Sequence, residues 1–238
     1  MVKNIALLTA GGSGTRMHQD IPKQFLHVQN KPILIYTMEA FQNHPSIDAI
    51  IVVGLDGWGD IIKAYAKQYG ITKLKWVISG GETGQDSIRN GIEELKKHYK
   101  TSDIVLIHDG NRPLISPEII SDSIAKQKEY GNAVAAIPCV EVVFKSNDGI
   151  SSTTNIPRDQ LLRTQTPHTY TLEKLLWAYK EKEIQKSQNT VAICDLMCFL
   201  GEPVYFSKGS ERNIKITTIE DLEIFTSFLN SKKEQGIK

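Results

Sequence analysis

The 238-residue chain carries 28 basic and 27 acidic residues, a net charge of +1, with 40% hydrophobic and 23% charged content. That balance is ordinary for a water-soluble globular chain and gives no general attraction to nucleic acid or to a membrane surface, so any anion binding has to be local. No apolar run approaches the roughly 20 residues of a membrane helix, and the N-terminus lacks a signal-peptide pattern, so a cytoplasmic location is expected.

The first predicted strand, residues 5–8, runs straight into Thr9-Ala10-Gly11-Gly12-Ser13-Gly14-Thr15-Arg16-Met17, followed by Pro22-Lys23-Gln24-Phe25-Leu26. Further strands are predicted at 49–53, 75–78, 104–107 and 133–137, separated by helical spacing at 33–43, 61–69, 84–98 and 117–130. Continuous β-branched strands alternating with helices predict an α/β fold. The expected form is a Rossmann-like, three-layer domain over 1–238, with a mostly parallel sheet covered on both faces. Residues 139–157 break this rhythm. They read as strand 140–145, a turn at Asn147-Asp148-Gly149 and strand 150–154, an inserted β-hairpin suited to a lid or to an arm reaching another subunit. Helices at 172–182 and 191–200, a strand at 204–207 and a helix at 218–229 complete the chain. Cys139, Cys194 and Cys198 are too few and too oddly numbered for a disulfide framework, and read as buried, inert thiols rather than a metal site.

In such sheets, ligands bind outside the carboxyl ends of the strands. The glycine loop falls there. Gly12 and Gly14 fit the start of a dinucleotide fingerprint, but Met17 occupies the third glycine position, and the Gly-Lys-Ser/Thr ending of a P-loop is missing. A plain tight turn would need neither Arg16 nor Lys23. Backbone N–H groups gripping a triphosphate, with two cations neutralising charge as pyrophosphate leaves, account for all of these residues together.

His108-Asp109-Gly110-Asn111-Arg112-Pro113 ends another strand. Asp109 is placed to hold Mg²⁺, Arg112 suits a phosphate, and His108 reads as loop support rather than a base. Gly80-Gly81-Glu82-Thr83-Gly84-Gln85-Asp86-Ser87 opens a helix. Ser87 there either reads a base edge or anion, or merely occupies the first turn. Lys215, flanked by apolar residues in Asn213-Ile214-Lys215-Ile216-Thr217, either stays solvated or reaches the cleft.

Together these motifs, with Pro32–Thr37, Gln165-Thr166-Pro167 and Asp221-Leu222, resemble the cytidylyltransferases that make CDP-alcohols from CTP and a polyol phosphate. The two close branches are the ribitol-5-phosphate and the methylerythritol-phosphate cytidylyltransferases. The resemblance implies a nucleotide-diphospho-sugar transferase type of fold. Arg16, Lys23 and Lys215 would hold the triphosphate and stabilise the transition state. Ala10, Gly11, Gly12, Gly14, Gly81, Glu82, Ser87 and Gly110 would line the nucleotide pocket, Asp109 would hold Mg²⁺, and Arg112, Arg158 and Thr166 would bind the acceptor phosphate. The hairpin would reach across a homodimer, with Arg158 serving the partner's site. Asp56-Gly57-Trp58 favours the ribitol-phosphate branch, so CDP-ribitol is the expected product, with methylerythritol phosphate as the alternative acceptor. The chain departs from both branches at Val143 and Cys194, where each tends to carry Thr, and at Gly110-Asn111, where a small pair is usual. A nucleotide-sensing subunit without activity, and a Rossmann oxidoreductase, are the other readings weighed. The intact Arg16, Lys23, Asp109 and Lys215 oppose the first, and the missing third glycine opposes the second.

Overall fold

A computed structural model describes residues 1–12, 21–185, 190 and 192–235, with the backbone alone at 182–185 and 232–235. The chain opens with β1 (Asn4–Ala10), then a short antiparallel pair, β2 (His27–Val28) and β3 (Lys31–Pro32), which leads into α1 (Ile33–Asn43). The alternation continues through β4 (Ala49–Gly54), α2 (Gly59–Gln68), β5 (Leu74–Ser79), α3 (Gly84–Lys96), β6 (Ile104–Asp109) and α4 (Pro117–Tyr130). After β7 (Asn132–Pro138) come the small hairpin of β8 (Val143–Lys145) and β9 (Thr154–Ile156), and then β10 (Leu162–Thr171). The chain finishes with α5 (Leu172–Gln185), α6 (Ile193–Phe199), β11 (Phe206–Lys208) and α7 (Ile219–Gln235).

Seven strands form one sheet in the order β11-β7-β10-β6-β1-β4-β5. The pairs β1–β4, β1–β6, β4–β5 and β7–β11 are parallel, and β10 alone runs antiparallel to both of its neighbours. Successive side chains of a strand point to opposite faces, so an unbroken apolar strand feeds two cores. Ala6 and Leu8 of β1 join Met38 and Phe41 of α1, Ile62 of α2 and Ile119 of α4 on one face. Ile5 and Leu7 join Ile92 of α3, Leu175 of α5 and Ile193 of α6 on the other. Each such side chain, fully buried, contributes about 1.5–3 kcal/mol. Gly91 lets α3 close onto β1, because a Cβ there would stand 2.6 Å from Leu7 Cδ1. A third cluster, Val28, Ile33, Ile216 and Phe225, packs α7 beside the β2–β3 turn. Among the described residues no helix is long and apolar enough to cross a membrane.

The α/β architecture matches the expectation, with three corrections. Strand β10 was not anticipated: its Arg-Thr-Gln-Thr-Pro-His-Thr run is polar and contains Pro167, which ordinarily demotes a strand. The ladder with β7 shifts register between Thr164 and His168, across Pro167, and so accommodates it. The hairpin is also displaced. Residues 140–142 and 150–153 are not strand, and Asn147-Asp148-Gly149 does not by itself make the turn. The Asp148 carboxylate instead accepts from the N–H groups of Ile150 (2.9 Å) and Ser151 (3.0 Å) and from the Ser146 hydroxyl (3.0 Å), building a broad loop between β8 and β9. Those backbone donors hold the Asp148 carboxyl well below the usual carboxylate range. Finally, Cys139 and Cys194 are buried but Cys198 is exposed, so it is not the buried thiol expected. Burial pushes the Cys194 thiol up to about 11, which keeps it inert.

Candidate active site

Two adjoining cavities open at the carboxyl ends of the strands. The first, of about 520 Å³, takes Ala10, Gly11 and Gly12 from the end of β1, Leu55 from beyond β4 and Gly81 from beyond β5. The second, of about 280 Å³, lies beside it toward β10, with His108, Arg112, Thr166 and His168 in its wall. Thr9, Gly84, Asp109 and Lys215 belong to both.

Gly14 and Arg16 lie outside the described residues. Lys23 opens a single 3-10 turn and lines the first cavity. The next two residues anchor that turn. Gln24, buried, donates from Nε2 to Ala10 O at 2.7 Å, and Phe25 stacks on Trp58 with ring centroids 4.2 Å apart. Trp58, picked out from the sequence as a branch marker, thus acts physically as the floor beneath the lysine turn.

The far wall is the N-terminus of α3. Thr83 and Asp86 form a reciprocal capping box, and Ser87 Oγ accepts from Gly81 N at 3.1 Å while donating to Thr83 O at 3.0 Å. Ser87 therefore shapes the Gly81-Glu82-Thr83 loop as well as lining the cavity. A Cβ on Gly81 would collide with Asp86, so only glycine lets this loop fold back on its helix. The positive end of the α3 helix dipole favours an anion in the cavity.

Between the cavities stands Asp109. Its Oδ2 receives Arg112 Nε at 2.9 Å and its Oδ1 receives Lys215 Nζ at 3.1 Å. Burial alone would raise its pKa, but Lys215 and Arg112 outweigh that and hold the carboxyl well below the usual range. Asp109 is ionised at neutral pH. Arg112 also donates from Nη1 to Asn213 O at 2.6 Å, so it braces the loop as well as facing the second cavity.

His108 is fully buried and accounts for both of its ring nitrogens. Nε2 faces Arg112 O at 3.3 Å and must carry the proton, so Nδ1 is bare and accepts from the Thr166 hydroxyl at 3.0 Å. Burial lowers its pKa to about 3, and that of His168 to about 4. A ring so committed supports the loop, as expected, and is not a base. Thr166 lines the second cavity, with its hydroxyl proton on His108 and a lone pair taking Asp109 N–H at 3.0 Å.

Two expected positions fall elsewhere. Gly110 is buried and lines neither cavity: its N–H goes to Thr9 O (2.8 Å), its C=O takes the Thr37 hydroxyl (2.8 Å), and a Cβ would stand 2.9 Å from Thr9 O. Its observed role is that of a packing glycine. Arg158 lies exposed at the base of the hairpin, with Nη1 on Val140 O at 3.3 Å, and lines neither cavity of its own chain.

The amides Gln24, Asn111, Gln165 and Asn213 stood inside the sequence motifs, Asn111 as a departure from the family, but were given no role, although each holds a loop of the site.

The family model for IspD, 2-C-methyl-D-erythritol 4-phosphate cytidylyltransferase, matches residues 4–231. A ribitol-5-phosphate cytidylyltransferase of Lacticaseibacillus paracasei is 43% identical over 230 residues, covering 96% of this chain and 98% of that one. A 2-C-methyl-D-erythritol 4-phosphate cytidylyltransferase of Clostridium novyi is 37% identical over 98% of this chain and 99% of its own. The crystal structure of 4-diphosphocytidyl-2C-methyl-D-erythritol synthase from Anaerococcus prevotii superposes with a TM-score of 0.81 at 27% identity, covering 96% of this chain and 99% of that one. The chain that builds this glycine-lined cleft belongs to the IspD family of cytidylyltransferases.

Proposed function

We propose that the chain transfers the cytidylyl group of CTP to a polyol phosphate, D-ribitol 5-phosphate, forming CDP-ribitol and releasing pyrophosphate. The observation that carries this reading is the meeting of two cavities at Asp109 and Lys215. The larger one, between the β1 loop and the N-terminus of α3, suits the nucleotide, and the smaller one, beside Arg112, suits the acceptor. An acceptor phosphate oxygen attacks the α-phosphorus in line as the bond to pyrophosphate breaks. Lys23 and Lys215, with Arg16, neutralise the charge that develops on the phosphate oxygens. A phosphate monoester is already an anion, so no base is needed, in keeping with a His108 whose two nitrogens are taken.

Among the described residues no three metal-ligating side chains cluster, so a protein-only cage is not part of the reading. One ionised carboxylate, Asp109, fits a Mg²⁺ that takes its remaining ligands from phosphates and water and helps neutralise them when bound. The Ala10–Gly12 and Gly81–Ser87 loops hold base and ribose, and Arg112 with Thr166 faces the acceptor. We further place the enzyme in the cytoplasm as a homodimer through the 139–157 arm. Val140, Val142, Phe144 and Ile150 stand exposed on that arm, an apolar set suited to a second copy. Arg158, absent from its own chain's cavities, then serves the partner's acceptor site.

Ribitol 5-phosphate is preferred on the 43% identity to the ribitol-phosphate relative, against 37% to the methylerythritol-phosphate one. The methylerythritol-phosphate reading stays in play because the matching family model carries that description. A pyrophosphate-release assay with CTP against ribitol 5-phosphate, 2-C-methyl-D-erythritol 4-phosphate and a panel of other polyol phosphates tests the assignment. Turnover with ribitol 5-phosphate at the highest kcat/KM is expected. A higher value for methylerythritol phosphate overturns the acceptor, and no product from any member overturns the whole reading.

A further inference from the structure

Lys215 sits on a stretch without regular structure between β11 and α7. It lines both cavities, and its own side chain is 43% exposed. A lysine is a point charge on a flexible four-carbon stem, so its aim depends on how firmly its backbone is held. Two clasps flank it. On the N-terminal side Asn213 is locked, its carbonyl taking Arg112 Nη1 at 2.6 Å and its Nδ2 reaching Thr166 O at 2.9 Å. On the C-terminal side Asp221 Oδ2 takes Thr217 N at 2.7 Å and Thr218 N at 2.9 Å, and the residue next to Lys215 is held by Asn111. Ile216 N donates to Asn111 O at 2.9 Å, and Asn111 Nδ2 donates back to Ile216 O. Both residues are buried, Ile216 completely.

We propose that Asn111 is a positioning residue for the transfer reaction, acting through Lys215 by clipping the next residue of its loop to the end of β6. This rests on the catalytic role proposed for Lys215. The chemistry selects asparagine. The side chain must donate to a buried carbonyl while the same residue's backbone accepts, closing a two-bond ring between segments 105 positions apart. Alanine leaves the Ile216 carbonyl buried and unpaired. Aspartate keeps the shape but sets an acceptor against an acceptor. Because Asp109 precedes Asn111 by two residues, the clip fixes Lys215 relative to the carboxylate it pairs with, and so relative to the junction of the two cavities.

The test is a double-mutant cycle on the full chain with CTP and the best acceptor. Asn111→Ala is expected to lower kcat about 10- to 30-fold, the scale of a small misplacement of a catalytic group, with KM for CTP within about threefold. Amide exchange at Ile216 should quicken. The decisive prediction is non-additivity: Asn111→Ala/Lys215→Ala should be no slower than Lys215→Ala alone, within about twofold. If Asn111→Ala costs the same factor in both backgrounds, or lowers the melting temperature while leaving kcat unchanged, the proposal is overturned. If Lys215→Ala itself keeps near-full turnover, the catalytic role of Lys215 fails first, a result distinct from a wild-type-like Asn111→Ala. Should Asn111→Ala not fold, Asn111→Asp completes the same cycle with the volume kept and the donor removed.

Discussion

The cleft and the arm are opposite solutions within one chain. Around the cleft, polar side chains are buried and cross-braced. Gln24 holds the β1 end, Ser87 holds Gly81, Asn111 holds Ile216, and Asp109 holds two cations at once. On the arm, the apolar side chains face outward, and the loop of residues 146–153 is organised on the Asp148 carboxylate with the Ser146 and Ser152 hydroxyls. The difference teaches where each region finds its energy. The cleft's charges are aimed by buried hydrogen bonds that brace their loops against the end of the sheet, whereas the arm's apolar surface has no core within its own chain and gains by covering it against another surface.

Breaking the cleft's chemistry without breaking the fold should give the largest effect. Lys23→Ala is expected to lower kcat about 10²- to 10³-fold, the usual consequence of removing one preorganised group that stabilises transition-state charge. Its urea-unfolding midpoint should stay near wild type, and near-full turnover would remove Lys23 from the mechanism.

Arg158→Ala tests whether the arm contributes to chemistry at all. Loss of a charged hydrogen bond, about 1.5–3 kcal/mol, raises the acceptor's apparent KM roughly 10- to 100-fold, with CTP little affected. Mixing Arg158→Ala with Lys23→Ala protein should restore part of the activity that neither has alone, because a mixed dimer contains one site with both residues intact. No recovery after subunit exchange would place Arg158 outside the partner's site.

Three buried histidines, His44, His108 and His168, all lowered by burial, sharpen the comparison through pH, the last two most. Both folded values, about 3 for His108 and about 4 for His168, lie below the unfolded value of 6.5. Below pH 6.5 the unfolded chain therefore binds more protons than the folded one, and stability falls as the pH drops toward 4. The slope should approach about 1.4 kcal/mol per pH unit for each histidine. Urea unfolding at pH 7.5, 6 and 5 measures it. His168→Gln should lower the slope by its own share, with His108 and His44 supplying the rest, and an unchanged slope would mean that other groups carry the acid sensitivity. The arm holds no histidine and should show no such dependence.

The smallest effect on subunit stability belongs to the arm. Phe144→Ser with Ile150→Ser, both exposed, should change unfolding free energy by no more than about 0.5 kcal/mol per site in the isolated subunit. Sedimentation should nonetheless shift from dimer toward monomer. A monomeric wild-type chain at high concentration would refute the dimer.

How much of this was legible in the residues follows from the range of the interactions. β1, β4 and β6 announce themselves as unbroken apolar runs, and the capping box of Thr83 and Asp86 spans three positions. β10 stayed hidden because a polar strand with a proline is buried by its neighbours rather than by its own composition. Gly110 looked like part of the cradle because a motif gives spacing but not direction, and here its N–H and C=O turn inward. Sequence by itself determined the alternation of strands and helices, the glycine loop at a strand's end, and the charges available to a triphosphate, since all are set by local spacing and residue chemistry. Only the tertiary structure decided that Asp109 sits between Arg112 and Lys215, that His108 is neutral and spent, and that Asn111 clasps the Lys215 loop. Those outcomes depend on groups up to 106 positions apart brought to one sheet edge, where burial and mutual charge set protonation and direction.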